Sequence, residues 1–344
     1  MTKLLRALLV QAVVSLLVVV IAGGCSSPPE AVEQAEVGVA PSLLAGKDGA
    51  LTVTGANTVV NRYAVLGANA AAGASSIQVT DINDLDPGGN PLALGDLLLI
   101  IQMQGAQIDS ADNAGYGAVT ALQGAGNHEY ATVIGVQGNV ITLNGECGGL
   151  ERGYTTAGRT QVVRVPQYTS LTVNGGASIV PAPWDGARGG IVAVHVRDTA
   201  TILGAIDASA RGFRGGAIDN SSQDSNNDVP GFRGTNPNFG GAKGESIAGF
   251  AADYDAIGGR YGRGAPANAG GGGNSHNAAG GGGANGNNGN VYSGHGVMDG
   301  TVLGAAAWMF DPAYIANGNA LTNSTGGGRG GYSFSSSNEN ALNT

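Results

Sequence analysis

The sequence predicts an all-β protein: a small β-barrel or sandwich module followed by a glycine-rich, β-helix-like solenoid region. Two patterns predict it. Short β-type runs separated by turn residues fill 49–168, and a long period-2 alternation of small apolar and polar residues runs through Gly189–Gly216. Composition agrees, since Gly accounts for 62 of the 344 residues while charged residues make up only 12%. We expect a surface built from small polar side chains and backbone.

The first 24 residues are predicted to be a signal peptide. Lys3 and Arg6 form a positive start, and the apolar run Ala7–Ala22 is followed by two glycines and Cys25. The ending Ile21–Cys25 resembles the bacterial lipobox, which implies that Cys25 is diacylated and becomes the first residue of the mature chain. Plain secretion and a retained helix are the alternatives, although the apolar run of about 16 residues is short for a membrane span.

The lipobox resemblance also implies a location. Ser26 rather than Asp follows the cysteine, which in lipoproteins directs sorting to the outer membrane. We therefore expect a protein anchored by lipid at the outer membrane or cell surface. Residues 25–48 contain prolines and glutamates without sustained apolar periodicity, so they are predicted to be a tether.

The module at 49–168 is predicted to contain about seven short strands and no helix. Gln137-Gly138-Asn139 is typical of a tight hairpin turn. Leu97–Ile101 is apolar throughout, which predicts burial on both faces. Gly105–Gly126 has no pattern and is predicted to be an insertion loop. The predicted strands are Leu51–Thr54, Thr58–Leu66, Ser76–Val79, Leu97–Gln104, Glu129–Val136, Val140–Leu143 and Gln161–Val165.

An acidic loop in this module is the candidate metal site. Asp81, Asn83, Asp84 and Asp86 offer oxygen ligands to Ca²⁺, the one cofactor that the sequence suggests, with glycines nearby. A solvated turn rich in Asp and Asn explains the same residues. The same two interpretations apply to a second acidic loop, which contains Asp219, Asp224 and Asp228.

The region 169–344 is predicted to be solenoid-like with disordered stretches. Leu171–Val180, Ile191–Val196 and Ala200–Ala208 are β-type, and the tetrapeptide Gly-Phe-Arg-Gly recurs at 212–215 and 231–234. The spacing from Leu171 to Ile191 and the spacing of the tetrapeptides predict rungs of about 20 residues. A β-sandwich with long loops is the alternative.

The sequence allows more than one structure for three segments of this region. The runs Ala269–Gly273 and Gly280–Gly289 are either disordered or packed as extended, closely approaching backbone. Thr301–Tyr314 is an apolar island that fits a helix on the solenoid flank, a last core strand or an exposed recognition patch.

Little in the sequence indicates a reaction. The net charge of −9 and the lack of a basic run exclude nucleic acid as a partner. No histidine has metal-ligand spacing, and Cys147 is predicted to be a free thiol. We expect that the protein has no catalytic residue and is not an enzyme. His195 lies on the polar face of the alternating stretch and is predicted to be a surface imidazole. The residues that would serve a glycan-cleaving β-helix are Arg197, Asp198, Asp207, Arg211, Asp253 and Asp255.

Three stretches, 95–106, 161–176 and 189–216, resemble a family of large glycine-rich surface proteins of gliding and predatory Gram-negative bacteria. The resemblance covers roughly residues 55–290. It implies surface exposure and, for some members, gliding motility or adhesion, and it identifies no catalytic residues. Relatives usually end in a further strand-forming segment that Asn343-Thr344 does not provide, so the resemblance implies an incomplete second domain.

The sequence thus predicts a surface lipoprotein with a structural or adhesive role. A polysaccharide-binding module and a glycan-cleaving β-helix enzyme are the alternatives. The expected partners are the outer membrane, through the lipid anchor at Cys25, and a surface polysaccharide or other cell-surface proteins. The ligand-binding residues are not identified by the sequence.

Overall fold

The computed structural model describes residues 46–113, 115–145, 148–218, 231–235, 240–273 and 280. All of them belong to the same compact unit. The predicted signal peptide, most of the tether, both cysteines, the second acidic loop, most of Gly280–Gly289 and Thr301–Tyr314 lie outside the described residues.

The regular secondary structure of the described part of the chain is almost entirely β-strand. A 3₁₀ turn at Ile82–Leu85 and a single helical turn, α1, at Ala252–Ala256 are its helical elements. None of its helices is long and apolar enough to cross a bilayer. The strands are β1 (Leu51–Val53), β2 (Arg62–Val65), β3 (Ser76–Gln78), β4 (Leu97–Gln102), β5 (Gln107–Ile108), β6 (Val119–Ala121), β7 (His128–Gln137), β8 (Val140–Asn144), β9 (Thr160–Val165), β10 (Gln167–Val173), β11 (Ser178–Ile179), β12 (His195–Ile202) and β13 (Ala205–Ile206).

Six antiparallel strands form a curled, barrel-like sheet in the order β2-β9-β4-β7-β8-β3. A bridge between Leu66 and Val79 brings the ends of the first and last strands together. Alternate residues of the strands point inward and form one apolar core, in which Leu98, Ile100 and Val162 are fully buried. The predicted hairpin at Gly138 is confirmed, because β7 and β8 pair across it.

Strand β4 is buried on both faces, as its unbroken apolar sequence predicts. Leu98 and Ile100 face the core of the barrel, whereas Leu97 and Leu99 belong to a second cluster on its outer side. Ile191 packs against that outer cluster. The barrel therefore has one wall that is covered by the glycine-rich half of the chain.

Three parallel segments stack beside the barrel and form short rungs, which confirms a solenoid-like arrangement. Strand β10 lies between β1 and β12. After these strands the chain turns a corner in the second and third rungs, and the two rungs then pair again through β11 and β13. In register, Leu51 lies beside Leu171, and Leu171 lies beside Ala200. The first rung is 51–58, the second 167–179 and the third 195–206. The predicted domain boundary between 168 and 169 falls inside β10.

The predicted rung length is too short. Leu171 stacks on Ala200, whereas the predicted period places Ile191 beside it. The segment Ile191–Val194, predicted to be β-type, is not a strand, and β12 begins at His195. Its side chains alternate between the outer cluster of the barrel and the core of the rungs. The extra residues thus fill the space between barrel and rungs rather than adding a rung.

Four extended segments, 214–217, 241–245, 260–264 and 270–273, pack side by side and are called the glycine bundle here. The segment 241–245 is surrounded, since its backbone bonds to Ala217, Arg260 and Gly270 at 2.8–3.1 Å. A Cβ at Gly216 would lie 1.8 Å from the carbonyl oxygen of Ala242. For Ala269–Gly273, close-packed backbone is therefore the correct alternative.

The insertion 105–126 is not structureless, contrary to the prediction. It contains β5 and β6 and places Tyr116, which is fully buried, against Phe232 and Ala265. A Cβ at Gly117 would lie 1.7 Å from the Ala265 carbonyl oxygen. The insertion thus joins the barrel to the glycine bundle.

Candidate functional site

The outer face of the three rungs presents a row of threonines, which we call the threonine face. Thr52, Thr172 and Thr201 occupy the same register position in β1, β10 and β12. Ser170 and Thr199 form a second, parallel column. Adjacent strands lie about 4.8 Å apart and successive outward residues about 6.6 Å apart, so the hydroxyls form a flat, regular array.

Alternation along the strands explains why these hydroxyls face outward. In β10 the neighbours of Thr172, Leu171 and Val173, are buried in the core of the rungs. Thr52 and Thr201 are exposed and Thr172 is half-buried. Each hydroxyl supplies one donor and two acceptor positions. The array can therefore bind a ligand that repeats hydroxyl groups along its length.

The threonine face carries no net charge. An ion pair between Arg197 and Asp198 lies at the start of β12, with Nη2–Oδ2 at 2.9 Å and both side chains half-exposed. Protein interfaces are enriched in aromatic residues, Met and Arg at their centres. The threonine columns contain none of these, so their chemistry suits a neutral, hydroxyl-rich ligand better than a protein.

A small polar cleft of about 170 Å³ lies where the barrel meets the rungs. Arg62 and Arg164 line it from neighbouring strands, and Tyr168 closes it from β10. Burial, and secondarily the charge of Asp48, raises the pKa of Tyr168 to about 12. Its hydroxyl is protonated at neutral pH, as that of an unperturbed tyrosine also is. The cleft is smaller than the roughly 300–1,000 Å³ of typical ligand sites and has room for one small polar group.

A buried polar network joins the barrel to the glycine bundle. The Glu245 side chain is completely buried and accepts hydrogen bonds from Arg214 at 2.8 and 3.1 Å and from Gln104 at 3.0 Å. Burial raises its pKa, but the hydrogen bonds from Arg214 outweigh burial and lower it overall. A carboxylate that is inaccessible and fully bonded holds structure rather than binding substrate.

Lys243 is a second buried charge in the glycine bundle. Its Nζ donates to the carbonyl oxygens of Phe232, Tyr261 and Gly262 at 2.6–2.9 Å. The ring of Tyr116 lies 4.7 Å from it. Burial lowers the pKa of Lys243, whereas three acceptors and an aromatic face match the three donors of an ammonium group.

The carboxylates named for glycan cleavage do not lie in one group in the described part of the chain. Asp198 is bound by its neighbour Arg197, and Asp253 pairs with Arg159 at 2.8 Å. Asp255 pairs with Arg260. Hydrogen bonds lower the pKa of Asp198, through Arg197, and that of Asp207, through Ser209.

The lowered pKa values of Asp198 and Asp207 argue against a role as general acid. A general acid needs a raised pKa, and neither Asp198 nor Asp207 has one. Arg211 lies in the turn that follows β13, where its N–H donates to the Ala208 carbonyl oxygen at 3.1 Å. His195 begins β12 beside Gln167, and neither its Nδ1 nor the buried Gln167 amide has a hydrogen-bond partner in the described residues.

The candidate Ca²⁺ ligands are engaged in turns and an ion pair. Asp81 caps the 3₁₀ turn by accepting from Asn83 at 2.9 Å, and Asp84 pairs with Arg188. Asp86 accepts from the N–H groups of Gly88 and Asn90 at 2.8 Å, and the bond from Asn90 is the main cause of its lowered pKa. Within the described ranges, no three acidic, His or Cys side chains converge on one point.

Sequence reasoning missed the threonine face and the two buried charges. The threonine columns had a signal, because Thr-Val-Thr-Gly-Ala at 52–56 and Thr-Ile-Leu-Gly-Ala at 201–205 share a pattern. Lys243 had none, since its acceptors are backbone carbonyls.

Comparison with known proteins identifies no family. No family model and no curated protein matches the chain. The solved structures that align with it include the Gp54 tailspike of Acinetobacter baumannii bacteriophage AP22, in complex with A. baumannii capsular saccharide, at 14% identity over 45% of this chain and 24% of the tailspike, with a TM-score of 0.22. The Pseudomonas phage phi297 tailspike gp61 aligns at 11% identity over 47% of this chain and 24% of its own, also with a TM-score of 0.22.

A third alignment is with tailspike protein gp49 of Pseudomonas phage LKA1, at 14% identity over 39% of this chain and 27% of its own, with a TM-score of 0.19. The matched part thus spans about a quarter of each tailspike. These alignments are too distant to assign an activity.

Proposed function

We propose that this protein is a lipid-anchored surface protein with an adhesive role, and that its threonine face binds a neutral polysaccharide. The observation that carries the proposal is the in-register alignment of Thr52, Thr172 and Thr201 on an exposed face. Each hydroxyl both donates and accepts, as sugar hydroxyls do. The repeat along the rungs provides several weak contacts to one repetitive chain.

The pKa directions of two carboxylates support binding without cleavage. Asp198 in the third rung and Asp207 directly after it are exposed and have lowered pKa values. Glycosidases place two carboxyl groups on either side of one bond, one of them with a raised pKa. We therefore expect the polysaccharide to remain intact.

The anchoring half of the proposal derives from the sequence. The charged start, the apolar run and the lipobox-like ending at Cys25 predict export and lipidation. An adhesive protein of this kind requires both an outward-facing ligand site and a firm attachment, which two or more acyl chains provide.

The anchor is tested by expressing the Cys25→Ala variant beside the wild type in a Gram-negative host. The wild type should fractionate with the outer membrane and take up a palmitate analogue. The variant should do neither. Wild-type protein that stays unlabelled, or a variant that still carries the label, would overturn the lipoprotein assignment.

Binding is tested with the detergent-extracted wild-type chain and a panel of polysaccharides. Neutral chains such as β-glucan, dextran and galactomannan should retain the protein in co-sedimentation, whereas alginate and hyaluronan should retain less. No new reducing ends should appear after prolonged incubation. Retention by the anionic chains alone would reject the threonine face as the site, and released reducing ends would replace adhesion with the enzyme alternative.

A further inference from the structure

Among the described strands, the third rung has a neighbour on one side only. Strand β12 is the last strand of the order β1-β10-β12, and no described strand pairs with its outer edge. Ile202 and Ile206 point along the inner columns of the rungs but are 40% and 49% exposed. Their register partners in the second rung, Val173 and Ile179, are fully buried.

An exposed terminal rung is unfavourable in a stacked-repeat protein. Stacked repeats need a terminal unit with a polar outer face, and an unpaired edge strand exposes a row of backbone donors and acceptors. The third rung has an apolar column instead, to which Leu203 adds a further 69% exposed side chain. It has the properties of an interior rung, and no described strand lies beyond it.

The three rungs share a short corner motif. Its copies are Thr-Val-Thr-Gly-Ala at 52–56, Thr-Val-Asn-Gly-Gly-Ala at 172–177 and Thr-Ile-Leu-Gly-Ala at 201–205. In each copy the threonine faces outward and the next residue enters the inner column. In the third copy the glycine also allows the chain to turn close to its neighbour. A Cβ at Gly204 would lie 2.1 Å from the Ala177 carbonyl oxygen.

A fourth copy of the motif, Thr-Val-Leu-Gly-Ala, occurs at 301–305. It differs from the third copy only in Val302, which replaces the Ile202 of that copy with another β-branched residue. These residues lie outside the part of the chain that the structure describes. Their sequence matches the element that the open edge lacks.

We propose that residues 301–305 dock on the outer edge of β12 and β13 as a fourth rung. Thr301 then continues the column of Thr201, Val302 covers Ile202, and Gly304 turns the corner above Gly204. Docking pairs backbone groups along the outer edge of β12 and removes its apolar column from water. The inference rests on the open edge and the motif, and it holds whether or not the threonine face binds polysaccharide.

The same chain is a better occupant than a second copy for two reasons. Gly280 is the last described residue, and the chain from there to Thr301 can extend to about 70 Å, so reach is not limiting. A second copy that pairs β12 with β12 across a two-fold axis would run antiparallel. The parallel, in-register columns that unite the three rungs would then be lost.

Cysteine pairs test the proposed register in the full-length chain carrying Cys147→Ser. Parallel neighbours lie about 4.8 Å apart, which suits a disulfide. Thr201→Cys with Thr301→Cys should cross-link within one chain under mild oxidation. The matched control, Thr52→Cys with Thr301→Cys, places the first cysteine on the opposite edge of the sheet and should cross-link at least fivefold less, as measured by peptide mass spectrometry without reduction.

Two outcomes would overturn the proposal. Equal yields from the two pairs would show that 301–305 has no preferred position, and links found only between chains would assign the edge to a second copy. Hydrogen exchange of the β12 amides tests the proposal without introducing cysteines. Val302→Asp should accelerate exchange of the β12 amides at least tenfold while β10 stays protected, and unchanged β12 exchange would also reject the fourth rung.

Discussion

The guanidinium of Arg214 binds the buried carboxylate of Glu245 with two hydrogen bonds, Nε–Oε2 at 2.8 Å and Nη2–Oε1 at 3.1 Å. The two residues lie 31 positions apart on adjacent segments of the glycine bundle. Gln104 of the barrel donates to the same carboxylate. This carboxylate therefore fixes the glycine bundle to the barrel, where few side chains are large enough to form an apolar contact.

Removing the guanidinium should destabilise the fold. Arg214→Ala leaves a buried carboxylate without its main partner, and we expect a loss of about 2 kcal/mol in unfolding free energy. This is below the roughly 3–5 kcal/mol of a fully buried pair, because Arg214 itself is 39% exposed. Arg197→Ala is the matched control, since Arg197 binds Asp198 with the same two-bond geometry on the surface. Equal losses of stability in the two variants would contradict the role assigned to burial.

Stability should also depend on pH through Glu245. Its pKa in the folded protein lies below its ordinary value, so the stabilisation is present above the unfolded pKa of about 4.3 and is lost as the pH falls through the folded pKa. Denaturant unfolding from pH 6 to pH 3 should show a steeper decline for the wild type than for Glu245→Gln. Parallel curves for the two proteins would rule out this linkage.

The corner glycines give a comparison within one motif. Gly204→Ala places a Cβ 2.1 Å from the Ala177 carbonyl oxygen, whereas a Cβ at Gly55, the same motif position in the first rung, meets nothing within 4 Å. We expect Gly204→Ala to cost about 1–3 kcal/mol, as overpacking does, and to lower Tm by several degrees. Gly55→Ala should leave Tm nearly unchanged. A Gly55→Ala variant as unstable as Gly204→Ala would contradict the rung register.

Lys243 should stabilise the glycine bundle. Lys243→Met keeps the apolar length but removes the donor shared by the carbonyl oxygens of Phe232, Tyr261 and Gly262. The carbonyl oxygens of Phe232 and Gly262 still accept backbone N–H bonds at 2.9 and 3.0 Å, so the Tyr261 carbonyl is the one left without a described donor. An unsatisfied buried acceptor costs about 1–3 kcal/mol, and we expect a loss of stability in that range. Loss of protection in 260–264, measured by hydrogen exchange, would locate the damage, and a variant as stable as the wild type would show that Lys243 is not needed.

Local patterns in the sequence predicted most of the strands. They did not predict which residues of successive rungs lie side by side. Strand β4 is apolar throughout because it is buried on both faces, so its sequence alone reveals its position. The sequence did not reveal the longer rung, in which Leu171 lies beside Ala200. The segment from Ile191 to Val194 alternates as a strand would, but its side chains pack on two different clusters.

The site was less predictable than the fold. The named acidic residues are visible in sequence, yet Asp84 and Asp198 turn out to be bound by arginines. The threonine face arises only when strands from 51 to 202 align, and each strand alone contains just one or two of its residues. Its corner motif was the available signal, and it becomes meaningful once the register is known.

The central claim is that the threonine face binds a neutral polysaccharide, and the most direct test is the affinity of a variant lacking its hydroxyls. Thr52→Val, Thr172→Val and Thr201→Val together keep the shape and β-propensity of the face while removing three hydrogen-bonding groups. At about 0.5–1.5 kcal/mol each, their loss should weaken binding at least tenfold. The control, Thr80→Val with Thr120→Val, changes exposed threonines off this face and should bind as the wild type does. An unchanged Kd for the triple variant would contradict the claim.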